Sequence, residues 1–225
     1  MGLILSLETA TKTCSVCLAR DGVEVLTITE DSGNYSHAEK LNGFIQHLFN
    51  ETGYVLSDLD AVSISEGPGS YTGLRIGTST AKGFCYALDI PLIAVNSLKA
   101  LAALTSTESE IICPMFDARR MEVYSALFNR QLEEVEETKA VVIDADSYQD
   151  FLVNDKVVFV GPGAEKCREI LMHPNAQFDL GTSVSAKGMI ALAERKFQLK
   201  DFVDVAYFEP FYLKDFIAGA PKKLF

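Results

Sequence analysis

Short apolar runs separated by polar residues predict strands at the start of the chain. A short apolar run opens it, and two further runs follow on either side of Asp21-Gly22. That pair supplies the positive φ angles of a tight hairpin turn. The pattern therefore predicts a three-strand meander over residues 2–8, 14–20 and 23–30.

Helical periodicity begins after the meander. Residues 36–50 carry an apolar stripe at helical spacing, with Ser36 as N-cap and Glu39 completing a capping box. Further patterns predict a strand at 60–66, a glycine-rich turn at 67–71, a helix at 72–88, a strand at 91–95 and a helix from residue 97.

The second half repeats this order of strands followed by alternating helices and strands. Predicted strands cover 111–116, 122–129, 133–143 and 157–161, and predicted helices cover 146–153, 164–172 and 185–197. Two such blocks are typical of two α/β lobes rather than of one continuous parallel sheet. The polar residues 105–109 separate a first lobe, 1–104, from a second, 110–225. Whether 205–225 packs back on the first lobe stays open.

Composition favours a folded cytoplasmic protein and disfavours direct nucleic-acid binding. The 225 residues are 48% hydrophobic, and the net charge of −11 opposes a phosphate backbone. Five scattered cysteines suit a reducing compartment. The first apolar run ends at Glu8, which predicts neither a signal peptide nor a membrane span.

Candidate metal ligands are poorly placed. Cys14 and Cys17 lie three apart in a predicted strand, so their side chains point to opposite faces. His37 and His47 lie ten apart on one predicted helix and on different faces of it. These spacings predict structural or surface roles and no metal site.

The segment from Gly67 to Gly73 reads Gly-Pro-Gly-Ser-Tyr-Thr-Gly and joins a predicted strand to a helix. Such a junction can hold an anion, but the spacing fits neither the Walker motif nor GxGxxG, so a tight structural turn is favoured. The following helix has Gly73, Gly77 and Ala81 on one side. That stripe packs either on its own sheet or on a partner helix.

Four segments together resemble the TsaB (YeaZ) family, which has glycoprotease-like relatives. They are Leu5-Ser-Leu-Glu-Thr-Ala10, His37-Ala-Glu-Lys-Leu41, the stretch Ser65 to Gly77, and Asp117-Ala-Arg-Arg-Met-Glu-Val-Tyr124. The resemblance implies a two-lobe α/β fold of the actin/Hsp70/sugar-kinase (ASKHA, ribonuclease H-like) class with a reduced second lobe. It also implies a cytoplasmic, non-catalytic subunit that dimerises with a TsaD-type transferase and supports threonylcarbamoyladenosine (t6A) formation at adenosine 37 of transfer RNA. A TsaE-type ATPase is the implied third member.

The same resemblance implies where catalytic and nucleotide chemistry has been lost. The transferase binds its metal through two histidines four apart after a strand ending in Val-Asn, and Ser97 and Leu101 occupy those positions here. Neither side chain can replace an imidazole as a ligand. Glu8 and Thr9, with Gly161 and Gly163, stand where related folds hold phosphate and adenosine. We expect no cofactor on the chain alone, with ATP or ADP at the joint of the complex left open.

The resemblance places the partner surface on helices 36–50 and 72–88, and self-association is expected without the partner. The predicted interface residues are His37, Lys40, Gly43, His47, Thr72, Gly73, Ile76, Gly77, Thr80, Ala81 and Phe84. Two alternatives remain: a stand-alone ATPase or kinase of the fold, and a binding module outside transfer RNA modification. The sequence shows no nucleophile paired with a base, which argues against peptidase activity.

Overall fold

A computed structural model describes residues 2–31 and 37–214. It contains two five-stranded sheets and five α-helices. The first sheet contains β1 (Leu3–Glu8), β2 (Cys14–Arg20), β3 (Val23–Glu30), β4 (Ala61–Gly67) and β5 (Leu92–Asn96). The second contains β6 (Ile111–Asp117), β7 (Glu122–Asn129), β8 (Glu134–Val142), β9 (Val157–Val160) and β10 (Ala176–Asp179). The helices are α1 (His37–Thr52), α2 (Tyr71–Leu88), α3 (Ser97–Ala102), α4 (Gln149–Leu152) and α5 (Ile190–Leu199).

The first sheet has the strand order β3-β2-β1-β4-β5. Its antiparallel meander is joined by Asp21 and Gly22, both at positive φ, which confirms the predicted hairpin turn. β1 pairs in parallel with β4 and is buried at all six positions, as a central strand covered on both faces must be. The helices α1 and α2 cover one face, and α5 covers the other.

The second sheet has the order β10-β9-β6-β7-β8, and its helices are shorter than the sequence predicts. The predicted helix 164–172 is wrong, since that segment forms only a 3-10 turn, Glu165–Cys167, followed by irregular turns. Pro174 lies just beyond and disfavours helical backbone before it. The predicted helix 185–197 is a 3-10 turn, Ala186–Met189, that leads into α5. The short strand β10 was not predicted.

Helix α3 lies between the two sheets and joins them. Five of its six residues are buried, and Leu98 and Leu101 pack with Phe116 and Phe128 of the second sheet. Asn96 caps the helix by accepting hydrogen bonds from two backbone N–H groups of its first turn. The lobes thus share one apolar cluster at the base of the cleft between them.

The segment after α5 returns to the first sheet. Val203 bridges to Leu92, and Phe211 N donates to the Glu66 carbonyl over 2.7 Å. Lys82 Nζ on α2 donates to the Ala206 and Phe208 carbonyls over 3.1 and 3.0 Å. Within residues 2–31 and 37–214, no helix is long and apolar enough to cross a bilayer.

Candidate functional site

Two helices of the first lobe present a broad surface. α1 and α2 lie side by side on the first sheet and bury their apolar stripes against it. The outward positions that the sequence assigned to a partner are exposed or half-buried. We call these residues the α1–α2 surface: Lys40, Gly43, His47, Thr72, Ile76, Thr80 and Phe84.

Two exposed glycines lie in the middle of these helices. A Cβ atom added to Gly43 on α1 or to Gly83 on α2 would meet nothing within 4 Å. Each glycine costs a helix about 1 kcal/mol relative to alanine, and no contact with another described residue explains that cost here. Both positions leave room for the close approach of another backbone.

The small-residue stripe of α2 faces inward, contrary to the idea that it receives a partner helix. A Cβ on Gly73 would lie 2.1 Å from the Thr9 carbonyl oxygen, and one on Gly77 would lie 2.2 Å from Thr9 Oγ1. Ala81 is fully buried in the first core. These three residues are interior because Thr9, just after β1, and strand β4 occupy the space beside α2.

His37 is also interior, although it was predicted at the interface. Its side chain is buried, and Nε2 lies 2.8 Å from the Thr11 carbonyl oxygen. Burial lowers the pKa of His37, an effect that this hydrogen bond partly offsets. The predicted Ser36 cap lies outside the described residues. His47 is exposed on another side of α1, so the two histidines do not meet.

The glycine-rich segment is a tight structural turn. Ser70 N donates to the Ala10 carbonyl over 2.6 Å, and Ser70 Oγ accepts from Gly73 N at the start of α2. A Cβ on Gly69 would lie 2.3 Å from that same Ala10 oxygen. Gly67 has a φ of +118°, which other residues rarely adopt. The turn therefore packs directly on residues 9–11.

Glu8 ends β1 beneath this turn and is completely buried. Its Oε1 accepts from Ala10 N over 2.6 Å and from Ser65 Oγ over 3.1 Å. Its Oε2 has no hydrogen-bond partner among the described residues. Burial raises the pKa of the Glu8 carboxyl to about 7, and the two hydrogen bonds only partly offset this. A carboxyl held in this way is not available to a bound nucleotide.

We predict that Glu8→Gln removes part of the pH dependence of stability. Because the folded pKa lies above the ordinary value of 4.5, the Glu8 contribution is complete below pH 4.5 and is lost as pH rises to about 7. Between pH 5 and 8 the wild type should lose about 2–3 kcal/mol of unfolding free energy that the variant keeps. Urea unfolding at both pH values measures this. Equal pH slopes for the two proteins would contradict it.

Ser97 and Leu101 are buried and occupied with structural contacts. Ser97 Oγ accepts a hydrogen bond from Gly67 N over 2.9 Å. Leu101 packs on Gly161, where an added Cβ would lie 2.4 Å from Leu101 Cδ2. The side chains therefore tie α3 to the ends of β4 and β9. No group of three or more His, Cys, Asp or Glu side chains suited to a metal ion occurs in the described part of the chain.

The residues that stand where related folds hold phosphate and adenosine do not form an open phosphate loop here. Glu8 and Thr9 are buried below the cleft between the lobes, and Gly163 packs against the β6 backbone at Met115 and Phe116. Of Glu8, Thr9, Gly161 and Gly163, only Gly161 lines that cleft. The arrangement does not fit phosphate binding by Glu8 and Thr9.

The two sheets, the bridging helix and the cleft define a two-lobe α/β protein. A family model described as TsaD, tRNA N6-adenosine threonylcarbamoyltransferase, matches residues 32–218. The tRNA threonylcarbamoyladenosine biosynthesis protein TsaB of Bacillus subtilis is 36% identical over 163 residues, which is 70% of each chain. Its Escherichia coli counterpart is 28% identical over 96% of each chain.

Solved structures agree with these relatives. YeaZ from Pseudomonas aeruginosa superposes with a TM-score of 0.81 at 28% identity, and the match covers 95% of this chain and all of that one. A second Pseudomonas aeruginosa structure, of an uncharacterized protein similar to peptidase YEAZ, gives a TM-score of 0.84 at 26% identity, with the same coverage. The chain belongs to the TsaB (YeaZ) family, which confirms the resemblance.

Proposed function

We propose that this chain is the accessory, non-catalytic subunit that pairs with a TsaD-type transferase and supports t6A formation in transfer RNA. The TsaB relatives named for t6A biosynthesis and the match to the TsaD family support this pairing. The observation that carries the proposal is the state of Ser97 and Leu101. The resemblance implies that these two positions correspond to the transferase's metal ligands, and here they carry a hydroxyl and an aliphatic side chain.

The contacts of these two side chains are structural, which supports the loss of metal binding at both positions. Ser97 Oγ is already an acceptor for Gly67 N, and Leu101 fills the space beside Gly161. Soft or borderline metals need imidazole or thiolate ligands that neither residue offers. We therefore assign the threonylcarbamoyl transfer to the partner, and this chain acts by holding that partner in its active arrangement.

The α1–α2 surface is the proposed contact with the transferase. It is exposed, and it carries Gly43 and Gly83, which leave room for a neighbouring backbone. The same surface would support self-association when the partner is absent. A TsaE-type ATPase as third member, ATP or ADP at the joint of the complex and a cytoplasmic location are further parts of the proposal. The described cysteines, all free and buried, suit such a compartment.

Native mass spectrometry combined with metal analysis tests the assignment. The chain and a TsaD-type transferase should form a heterodimer whose metal belongs to the transferase, and the isolated chain should carry no stoichiometric metal. The variant Ser97→Ala should form the same heterodimer, because the hydroxyl's partner within the described part of the chain is a backbone N–H, that of Gly67. Stoichiometric metal on the isolated chain that Ser97→Ala removes would contradict the proposal.

A stand-alone ATPase or kinase is the alternative from the fold. It requires a nucleotide held tightly by the lone chain. The burial of Glu8 and Thr9 and the tight packing of Gly163 give it no support.

A further inference from the structure

A cleft of about 1100 Å³ separates the two lobes. One wall is built from residues 10–13 and the glycine-rich turn, and the other from the β6–β7 turn and residues 161–162. Residues 212–214 of the returning segment also line the cleft. The α1–α2 surface shares only Thr72 with this lining, so the proposed contact with the transferase gives the rest of the cleft no role.

Basic side chains from three separate segments line the cleft, although the whole chain has a net charge of −11. They are Lys12 from the first lobe, Arg119 from the second and Lys214 from the returning segment. Lys214 pairs with Glu122, whereas Lys12 and Arg119 form no ion pair with any carboxylate in the described residues. The lining also contains the carboxylates of Asp31, Asp117 and Glu165, and Asp117 pairs with Lys166. The cleft is therefore mixed in charge, and Lys12 and Arg119 are the two lining cations outside ion pairs in the described residues.

The β6–β7 turn holds Arg119 in a conformation that costs free energy. Arg119 and Arg120 have φ angles of +72° and +50°, and each left-handed residue of this kind costs roughly 1–2 kcal/mol. Asp117 Oδ1 accepts from Arg119 N over 2.9 Å. Lys166 Nζ contacts Asp117 and donates to the carbonyls of Arg120 and Glu122 over 2.8 and 2.7 Å. Strain supported in this way is concentrated at functional sites.

Aromatic rings stand beside the cations. The rings of Tyr71 and Tyr212 line the cleft with centroids 4.9 Å apart, and the Arg75 guanidinium lies 4.4 Å from the Tyr71 centroid. Tyr124 lines the opposite wall. Aromatic faces next to basic side chains are what proteins use to bind unpaired nucleotides of RNA by stacking and phosphate contact.

We propose that this cleft contacts the phosphate backbone and an unpaired nucleotide of the transfer RNA bound by the complex. The inference rests on the proposed function, which supplies the RNA. The net charge of −11 opposes binding by the isolated chain, so the contact adds to affinity that the transferase provides. Cations can contact an RNA phosphate and aromatic faces can stack on a base without the phosphate loop that Glu8 and Thr9 do not form.

The test uses the heterodimer with the double variant Lys12→Ala and Arg119→Ala. Its Kd for transfer RNA, measured by fluorescence anisotropy at several salt concentrations, should rise about tenfold. The slope of log Kd against log salt should fall by about 1 for each cation removed. Arg195→Ala, at an exposed site on α5, is the charge control and should change neither value. The affinity between the two subunits should stay the same for every variant.

A second arm tests stacking. Tyr212→Leu should raise the Kd for transfer RNA about tenfold, and Tyr212→Phe should keep the wild-type Kd because the ring is kept.

With the heterodimer intact, an unchanged Kd and salt slope for the double variant would overturn the proposal. So would a double variant that loses binding of free ATP while binding transfer RNA normally. Failure of the wild-type subunits to associate would instead count against the proposed function.

Discussion

Replacing Gly43 with arginine is expected to leave the chain folded and to weaken its complex with a TsaD-type transferase about 100-fold. A Cβ at Gly43 meets nothing within 4 Å, so the long side chain has free space in the isolated protein. In the complex it would occupy the room that we assign to the partner's backbone, at a cost of about 3 kcal/mol. Isothermal titration calorimetry measures the affinity, and urea unfolding measures the stability.

Leu199→Arg is the matched control for this prediction. It adds the same charge to an exposed helical position, but on α5, which covers the opposite face of the first sheet. This control should bind the transferase as the wild type does. An unchanged affinity for Gly43→Arg would exclude α1 from the interface.

Alanine at Gly73 and alanine at Gly83 are expected to have opposite effects, although both lie on α2. At Gly73 the new Cβ would lie 2.1 Å from the backbone oxygen of Thr9, and relieving that overlap should cost about 3 kcal/mol of unfolding free energy. At Gly83 the Cβ is in open space, so alanine should stabilise the helix by about 1 kcal/mol. Chemical denaturation of the two variants compares them directly.

This pair also separates packing from partner binding. If Gly73→Ala left stability unchanged and weakened only the heterodimer, the stripe of Gly73, Gly77 and Ala81 would be a partner surface after all. The structure predicts the reverse, because the stripe is covered by Thr9 and by β4.

Much of the first lobe could be predicted because its elements are marked by local signals. The apolar runs of β2 and β3 and the Asp21-Gly22 turn define the meander, and the apolar stripe defines α1. The second lobe is less predictable. Its segment 164–172 has helical composition, but it is confined between β9 and Pro174 and forms a single 3-10 turn.

Sequence periodicity cannot identify the group that packs against a given helix face, as the candidate site shows. A stripe of small residues predicts a close approach without saying what approaches, and here it is the chain's own residue Thr9. Gly43 and Gly83 instead indicate a close approach by another molecule. That conclusion depends on the empty space around them, which the sequence does not show. The charged cleft was missed because Lys12, Arg119 and Lys214 come from distant segments, and the Asp117 to Tyr124 motif gave the one local signal.

The central claim is that a chain without a metal site activates its relative by binding to it. Mass spectrometry of modified nucleosides tests this most directly, in transfer RNA incubated with the transferase and the remaining components of the reaction. We predict abundant t6A with the wild-type chain, little with Gly43→Arg or with no chain, and none with the chain in place of the transferase. Equal t6A with and without the chain, or t6A made by the chain without the transferase, would contradict the account.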